Sequence, residues 1–298
     1  MIGILVSTYN GDKYIEEQLD SILNQSYKEY SVFIRDDGSS DNTVNILEKY
    51  CTNHDNFSFF IGQNIGYSKS FLELLSKVPQ CDYYAFCDQD DFWESYKLEY
   101  FIEKVKIGIN NPILYYSNYY ICDNQLNVLS DGEINTSPSL NNIILQCPSN
   151  GMTMVINHKM REVVIDKIPD TTYGHDWWIS LVAISLGEIV IDERQTVKWR
   201  RNDNSLTGKE YRGIPKQLLR LKKVFGGERF QKTQKQIVDF NRIYGESIDS
   251  DKMNILNLFT YDSDIKFKYL KKLMCKKKYS FRKLDEILFR FCIFFRLI

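Results

Sequence analysis

The sequence predicts an α/β protein whose amino-terminal part is built around a mostly parallel sheet. From Ile2 to Asp91, short apolar runs alternate with segments whose apolar residues recur at helical spacing. Such alternation favours right-handed βαβ units and a parallel sheet. With 298 residues, 43% of them hydrophobic and 26% charged, the chain can bury a large core, which excludes disordered and disulfide-scaffold classes.

The elements follow from apolar spacing and from turn residues. The predicted strands of the first part are residues 2–7, 30–35, 57–61 and 83–87, and the predicted helices are residues 12–25, a helix capped by Asp41, and residues 68–77. Further on, the predicted strands are 114–122, 152–156 and 189–192, and the predicted helices are 141–146, 158–166 and 177–186. We therefore expect a catalytic domain over residues 1–212 and a basic helical region over residues 213–298.

Polar clusters follow three of the predicted strands. Ser7–Asn10 follow the first, Asp36–Ser39 the second and Asp88–Asp91 the fourth. Ligands of open α/β sheets bind beyond the carboxyl ends of the strands. We therefore expect the three clusters to meet in one crevice.

Two of these clusters are acidic, and each has two interpretations. Asp88, Asp90 and Asp91 repel one another unless solvent or a cation neutralises them, and hard oxygen ligands suit Mg²⁺ or Mn²⁺. The alternative is a solvated acidic turn. Asp36 and Asp37 either belong to a turn that caps the next helix, or they accept hydrogen bonds from a pyrimidine N–H and a ribose hydroxyl.

Taken together, these stretches resemble glycosyltransferase family 2, whose fold is the GT-A nucleotide-sugar fold. The resemblance covers roughly residues 1–210, and its Asp-Gln-Asp-Asp variant is most similar to the branch containing bacterial rhamnosyltransferases of polysaccharide assembly. The resembling stretches are 6–10, 21–26, 36–41, 88–93, 150–153 and 174–178.

The resemblance implies a role for each donor-site residue. Ser7 and Tyr9 would contact the base, and Asp36 and Asp37 would bind base and ribose. Within the Asp-x-Asp motif, Asp90 would ligate Mn²⁺ or Mg²⁺ directly and Asp88 would lie nearer the ribose. Lys69 would add positive charge near the phosphates, or be a solvated surface residue.

The resemblance also implies that Asp176 is the catalytic base of an inverting transfer, which needs a carboxylate to take the acceptor's proton. The alternative is a helix N-cap, and His175 is expected to be orienting or structural. One departure concerns the stretch 198–204, where Asn202 stands in place of an expected His, so a His–metal contact is not carried over. Arg200 or Arg201 is predicted to bind diphosphate, or to have a surface or core-edge role.

Charge is distributed unevenly along the chain. Residues 1–215 contain 18 Lys/Arg and 30 Asp/Glu, whereas residues 216–298 contain 20 and 9. Apolar residues from Phe281 to Phe295 follow helical spacing beside basic residues, which predicts docking on an anionic membrane. The alternatives are a helix packed on the catalytic domain or a homo-oligomer contact, and nucleic acid is not an expected partner.

The seven cysteines and three histidines contain no zinc pattern, and no signal peptide or membrane-spanning run is recognisable. These features predict a cytoplasmic protein, peripheral on the inner face of the cell membrane. The predicted function is transfer of one sugar, with rhamnose from dTDP-rhamnose as the first choice, to a lipid-linked glycan of a cell-surface polysaccharide. The absence of a Gln-x-x-Arg-Trp motif favours single addition over polymerisation. The alternatives are a sugar-phosphate nucleotidyltransferase and a non-catalytic glycan-binding subunit.

Overall fold

The structure, a computed structural model, describes residues 1–105, 111–169, 173–201, 228–259 and 278–280, with Glu286, Ile287, Arg290 and Phe294. The chain forms two compact units. The first comprises Met1–Thr136, Ser149–Ile168 and Gly187–Gly208, and the second comprises Ser137–Pro148, Pro169–Leu186 and Lys209–Ile298. The two units interleave along the chain, and the expected division at residue 212 stays a prediction.

Among the residues that the structure describes, the first unit contains a nine-stranded sheet. Its strands are β1 (Ile2–Thr8), β2 (Tyr30–Asp36), β3 (Phe57–Ile61), β4 (Tyr83–Asp88), β5 (Phe92–Trp93), β6 (Ile113–Cys122), β7 (Val128–Asp131), β8 (Met154–Asn157) and β9 (Glu188–Arg200). The order in the sheet is β3-β2-β1-β4-β8-β6-β9-β5, with β7 paired to β6.

The helices described are nine in number and fall in both units. They are α1 (Ile15–Leu23), α2 (Thr43–Asn53), α3 (Tyr67–Lys77), α4 (Lys97–Lys104), α5 (Leu140–Ile143), α6 (His158–Asp166), α7 (His175–Leu186), α8 (Glu228–Tyr244) and α9 (Ser250–Asn257). The first four and α6 belong to the first unit, and the others belong to the second. Asp41 lies one residue ahead of the N-cap Asn42, although its carboxylate accepts the Thr43 amide at 3.0 Å.

Strand β1 is an interior strand of the sheet. It pairs in parallel with β2 on one side and β4 on the other. Ile4, Leu5 and Val6 are fully buried, as expected for a parallel strand that is covered on both faces. Each such side chain contributes about 1.5–3 kcal/mol through its removal from water.

The second half of the sheet is mixed rather than mostly parallel. Strand β8 is antiparallel to both β4 and β6, and β5 is antiparallel to β9. Strand β7 follows β6 after a turn at residues 123–127, and so short a connection permits only an antiparallel pair. Strand β9 continues far beyond the predicted 189–192 and carries Lys198 and Arg200 into the sheet, parallel to β6.

Aromatic packing dominates the second unit. Helix α7 is buried nearly all round, and its Trp178 ring lies 5.8 Å from that of Phe240 and 6.1 Å from that of Tyr244, both on α8. The Trp177 indole N–H donates to the carbonyl of Ile143 in α5. Helices α8 and α9 are consistent with the expected helical region, and none of the helices described is both long and apolar enough to cross a membrane.

Gly187, directly before β9, is closely packed against the backbone of Pro112. A Cβ at this position would overlap the backbone carbonyl of Pro112, which already accepts the Glu188 amide at 2.8 Å. We expect Gly187→Ala to lower the free energy of unfolding by about 2–3 kcal/mol, because backbone cannot move aside as a side chain can.

Denaturant melts of both variants measure this effect. Gly245→Ala is the control, because its Cβ would meet only the flexible end of Met253 and should change stability by less than about 1 kcal/mol. Equal losses in the two variants would contradict the packing argument.

Candidate active site

The structure brings together the three polar clusters of the first unit. Along β1, Ser7 lies opposite Asp88 of β4 and Thr8 opposite Asp36 of β2. The Asp37 amide also donates to the Thr8 carbonyl at 2.8 Å. The ends of β1, β2 and β4 therefore form one continuous edge, as the strand order predicts.

Asp36 shapes the turn after β2. Its side chain is fully buried and accepts four hydrogen bonds from the chain itself. The donors are the Thr8 hydroxyl at 2.8 Å, the Ser39 amide at 2.8 Å, the Ser39 hydroxyl at 2.6 Å and the Gly38 amide at 3.1 Å. Gly38 has φ of 82°, which favours glycine at this position. In this structure Asp36 organises a loop, and its contact with a nucleoside stays a prediction.

Asp37 is also buried and holds the segment that leads into α3. It accepts the Ile65 amide at 3.0 Å, the Gly66 amide at 2.9 Å and the Arg35 guanidinium. Arg35 is itself buried and contacts Glu73 at 3.0 Å. A buried ion pair of this kind is costly to break, since one partner would remain as an unpaired charge.

The three carboxylates of the acidic turn after β4 differ in their exposure to solvent. Asp88 and Asp90 are partly exposed, whereas Asp91 is buried. Burial, followed by the negative charges of Asp90 and Asp88, raises the pKa of Asp91 well above its ordinary value. Burial is the larger cause, and the negative charges of Asp90 and Asp88 add to it; a divalent cation at the turn would relieve that repulsion.

The donor set of the turn fits such a cation. Mg²⁺ and Mn²⁺ take hard carboxylate oxygens, and Mg²⁺ is commonly held by one or two carboxylates while substrate phosphates complete its shell. Among the residues described, no group of three or more His, Cys, Asp or Glu forms a metal cage by itself. Asp88 and Asp90, which are both partly exposed, would supply the two carboxylates for a cation shared with a diphosphate.

Arg200 braces the acidic turn from β9. Its side chain is 2% exposed, its Nε donates to the Asp90 carbonyl at 2.9 Å, and its backbone amide donates to the Asp91 carboxyl at 3.1 Å. The remaining guanidinium nitrogens donate to the Asn124 carbonyl and to Glu17. Diphosphate binding by Arg200 stays a prediction, and it would require Arg200 to leave these partners.

Sequence reasoning did not find two further residues at this turn. Gln89 bonds to both backbone groups of Tyr9, at 2.7 and 3.1 Å. Lys97 is buried behind the turn, with its Nζ 4.7 Å from the centre of the Trp93 ring. Burial lowers the pKa of Lys97 to about 7, against the opposing charges of Cys87 and Asp91. In the sequence, Gln89 stands out only because it lies within an acidic run, and Lys97 only because it comes four residues after Trp93. Neither pattern predicts which group the side chain contacts.

Ser7, Tyr9 and Lys69 lie around the end of β1. The Ser7 hydroxyl is 2.6 Å from that of Ser70 on α3, which places the first turn of α3 beside this strand end. Lys69 is exposed on that turn, and Tyr9 is 46% exposed. These positions are accessible to a ligand, and their donor contacts stay predictions.

Asp176 belongs to the second unit, in the first turn of α7. Its carboxylate accepts the Trp177 amide at 2.8 Å, and its carbonyl accepts the Ser180 hydroxyl at 2.7 Å. Asp176 is the second residue of α7, and its carboxylate accepts an amide of the first turn, so both the catalytic-base and the capping interpretations stay predictions. A carboxylate there is stabilised by the helix dipole.

Some predicted features lie outside the described residues. They are Asn202, the stretch that follows it, and most of the segment from Phe281 to Phe295. Of the basic–aromatic stretch, Lys198–Arg201 are described.

Residues 3–130 match the sequence model of the family described as Glycosyl transferase family 2. This part of the chain belongs to glycosyl transferase family 2. A dTDP-rhamnosyl transferase, RfbG, of Shigella flexneri is 29% identical over 217 residues, which cover 68% of this chain and 73% of that protein. The match confirms the family predicted from the sequence, and the protein is a glycosyltransferase.

Two solved structures show the fold of this glycosyltransferase. TarS residues 1–349 of S. aureus in complex with UDP superpose with a TM-score of 0.60 at 17% identity, covering 87% of this chain and 70% of that one. The mannosyltransferase PcManGT of Pyrobaculum calidifontis, in complex with GDP-Man and Mn²⁺, gives a TM-score of 0.52 at 11% identity and covers 99% and 85%. The GT-A fold predicted from the sequence is confirmed.

His175 of the glycosyltransferase gives a pH-dependent stability. Burial lowers its pKa from 6.5 to about 4, and the neighbouring Asp176 charge only partly opposes this. The unfolded state therefore binds a proton more readily than the folded state, so stability falls as pH drops from about 6.5 to about 4. We expect the contribution of His175 to this loss to be roughly 2–3 kcal/mol.

Denaturant melts across that pH range measure the contribution. His175→Leu should flatten the pH dependence, whatever it does to stability at neutral pH. Ser185→Ala, in the same buried helix, removes no titratable group and should keep the wild-type slope. An unchanged slope in His175→Leu would show that His175 is not the source.

Proposed function

We propose that this glycosyltransferase is an inverting, divalent-cation-dependent enzyme that moves one sugar from a nucleoside diphosphate donor to a saccharide acceptor in polysaccharide assembly. The observation that carries the proposal is the strand edge where Asp88 and Asp90 lie beside the end of β1. The proposed donor is dTDP-rhamnose, which is supported by the similarity to the dTDP-rhamnosyl transferase of Shigella flexneri. UDP-hexoses and UDP-N-acetylhexosamines are the competing donors.

In this proposal the first unit binds the donor. Asp88 and Asp90 hold Mn²⁺ or Mg²⁺, which when bound neutralises the charge on the leaving diphosphate. The exposed ring of Tyr9 offers a stacking surface to the base, and the Ser7 hydroxyl a hydrogen bond. The buried Asp36 side chain and the Asp37 amide bond to Thr8, which helps to position the end of β1 for the donor.

In the same proposal Asp176 is the general base. Its carboxylate takes the proton of the acceptor hydroxyl as that oxygen attacks the anomeric carbon. The bond from the anomeric carbon to the diphosphate oxygen breaks on the opposite face, so the configuration inverts. A positioned base contributes typically about 10²–10⁴-fold to such a step.

The lipid-linked acceptor and the membrane partner are further parts of the proposal. Their support is the excess of basic residues in 216–298 and the amphipathic spacing of residues 281–295, read from the sequence. Such a segment would bring the enzyme to anionic lipid on the cytoplasmic face, where a lipid-linked saccharide is held. A homo-oligomer contact is the competing use of the same segment.

A donor screen with an Asp90 variant tests the donor and cation roles together. Calorimetric titration with dTDP-rhamnose, UDP-glucose and UDP-N-acetylglucosamine should show Mn²⁺-dependent binding, tightest for dTDP-rhamnose. Asp90→Asn should remove the effect of Mn²⁺, because a neutral amide is a poorer ligand for a hard cation.

Asp82→Asn is the matched control, since this exposed carboxylate lies just before the other end of β4 and should leave the binding unchanged. Mn²⁺-dependent binding that survives in Asp90→Asn would remove Asp90 from the cation site. Tighter binding of a UDP-sugar would replace the rhamnosyl donor while keeping the enzyme class.

Asp176→Asn should separate catalysis from binding. We expect donor affinity close to wild type and turnover lower by roughly 10²–10⁴-fold, because the amide cannot accept the proton. Asp251→Asn is the control, since Asp251 lies in the first turn of α9 as Asp176 does in α7. Normal turnover in Asp176→Asn, measured with the donor identified above, would exclude the base assignment.

A further inference from the structure

Gln89 lies inside the acidic turn, between Asp88 and Asp90, yet its side chain bonds to the end of β1. Its Oε1 accepts the backbone N–H of Tyr9 at 2.7 Å, and its Nε2 donates to the Tyr9 carbonyl at 3.1 Å. One amide thus takes both backbone groups of Tyr9. We call this pair of hydrogen bonds the Gln89 bridge.

The chain around Tyr9 leaves room for the Gln89 bridge. A Cβ at position 11 would lie 2.5 Å from Oε1 of Gln89 and 2.7 Å from its Cδ, so the amide fits only beside a glycine. Asn10 adopts a φ of 48°, its amide donates to the Ser39 hydroxyl at 2.8 Å, and its side-chain oxygen accepts the Ser40 amide at 2.8 Å. The turn after β1 is therefore hydrogen-bonded on one side to the β2 loop and on the other to Gln89.

Few side chains could form the Gln89 bridge. An acid at position 89 would lose the donor to the Tyr9 carbonyl and add a fourth carboxylate to a turn that already has three. An aliphatic residue would leave both Tyr9 groups without this partner. A glutamine between Asp88 and Asp90 is therefore explained by its two hydrogen bonds to the Tyr9 backbone.

We propose that Gln89 is a positioning residue that couples cation binding at the acidic turn to nucleotide binding at Tyr9. This inference rests on the proposed function, in which the cation lies at Asp88 and Asp90 and the base lies at Tyr9. A cation that orders the acidic turn also orders Tyr9 through the Gln89 bridge. Nucleotide binding then costs less conformational entropy. The coupling is reciprocal, because linkage requires each ligand to strengthen the other equally.

The experiment measures the coupling factor, defined as the ratio of nucleoside diphosphate affinities with and without Mn²⁺. Calorimetry with dTDP and with UDP gives it for the full chain. We expect Gln89→Met, which keeps the length and loses both polar atoms, to lower the factor by roughly fivefold or more, within the usual range of such couplings. Gln195→Met, a partly exposed glutamine on β9, should keep the wild-type factor.

Hydrogen exchange of the Tyr9 amide is a readout that a purely structural role would not move. This amide donates to Gln89. Adding Mg²⁺ without nucleotide should slow its exchange in the wild type and in Gln195→Met but leave it unchanged in Gln89→Met.

Gly11→Ala removes the bridge from the other side, since its Cβ would displace the flexible Gln89 amide rather than backbone. Gly11→Ala also replaces Gln89→Met as the test variant if thermal melts show that Gln89→Met does not fold. Because the two changes break one contact, their effects on the coupling factor should not add in the double variant.

The possible outcomes separate the two proposals. A wild-type coupling factor in Gln89→Met or in Gly11→Ala overturns the role of Gln89 and leaves the proposed function intact. A wild-type protein whose nucleotide affinity ignores Mn²⁺ overturns the cation site, and the role of Gln89 with it.

Discussion

Strand β1 lies between β2 and β4, and both pairings are parallel and in a fixed register. This constraint sets the position of the residues at the proposed donor site, because parallel neighbours must end at the same edge of the sheet. It places Ser7 opposite Asp88 and Thr8 opposite Asp36. A one-residue slip of β1 would turn its buried Leu5 and Val6 to the other faces, so core packing and site geometry are fixed together.

Burial divides the acids at this edge of the sheet into two sets. Asp36 and Asp37 are buried, with their oxygens taken by backbone amides, hydroxyls and the Arg35 guanidinium. Such groups are costly to leave unpaired, so they hold the loops firmly. Asp88 and Asp90 keep partial exposure, which a ligand of a cation needs. A rigid first set of carboxylates thus supports a second set that faces the solvent.

The second unit supports Asp176 in a different way. Helix α7 is held by aromatic packing of Trp178 on Phe240 and Tyr244, and by the Gln236 side chain, which accepts the Tyr173 amide at 3.1 Å just ahead of the helix. The chain near Asp176 therefore depends on residues from α8, more than fifty positions later. Residues 209–298 belong to the unit that carries the proposed base.

The sequence alone determined the early strands and helices, the family and the identity of the acidic clusters, because apolar spacing and turn residues are local signals. It did not determine that half of the strand pairings are antiparallel or that β9 extends to Arg200, since pairing partners lie far apart in the chain. Only the tertiary structure decided that Asp36 and Asp37 are buried at the end of β2, that Arg200 braces the acidic turn and that Gln89 reaches Tyr9. The physical reason is that the burial and the bonds of a polar side chain depend on groups brought beside it by folding, some more than a hundred residues away.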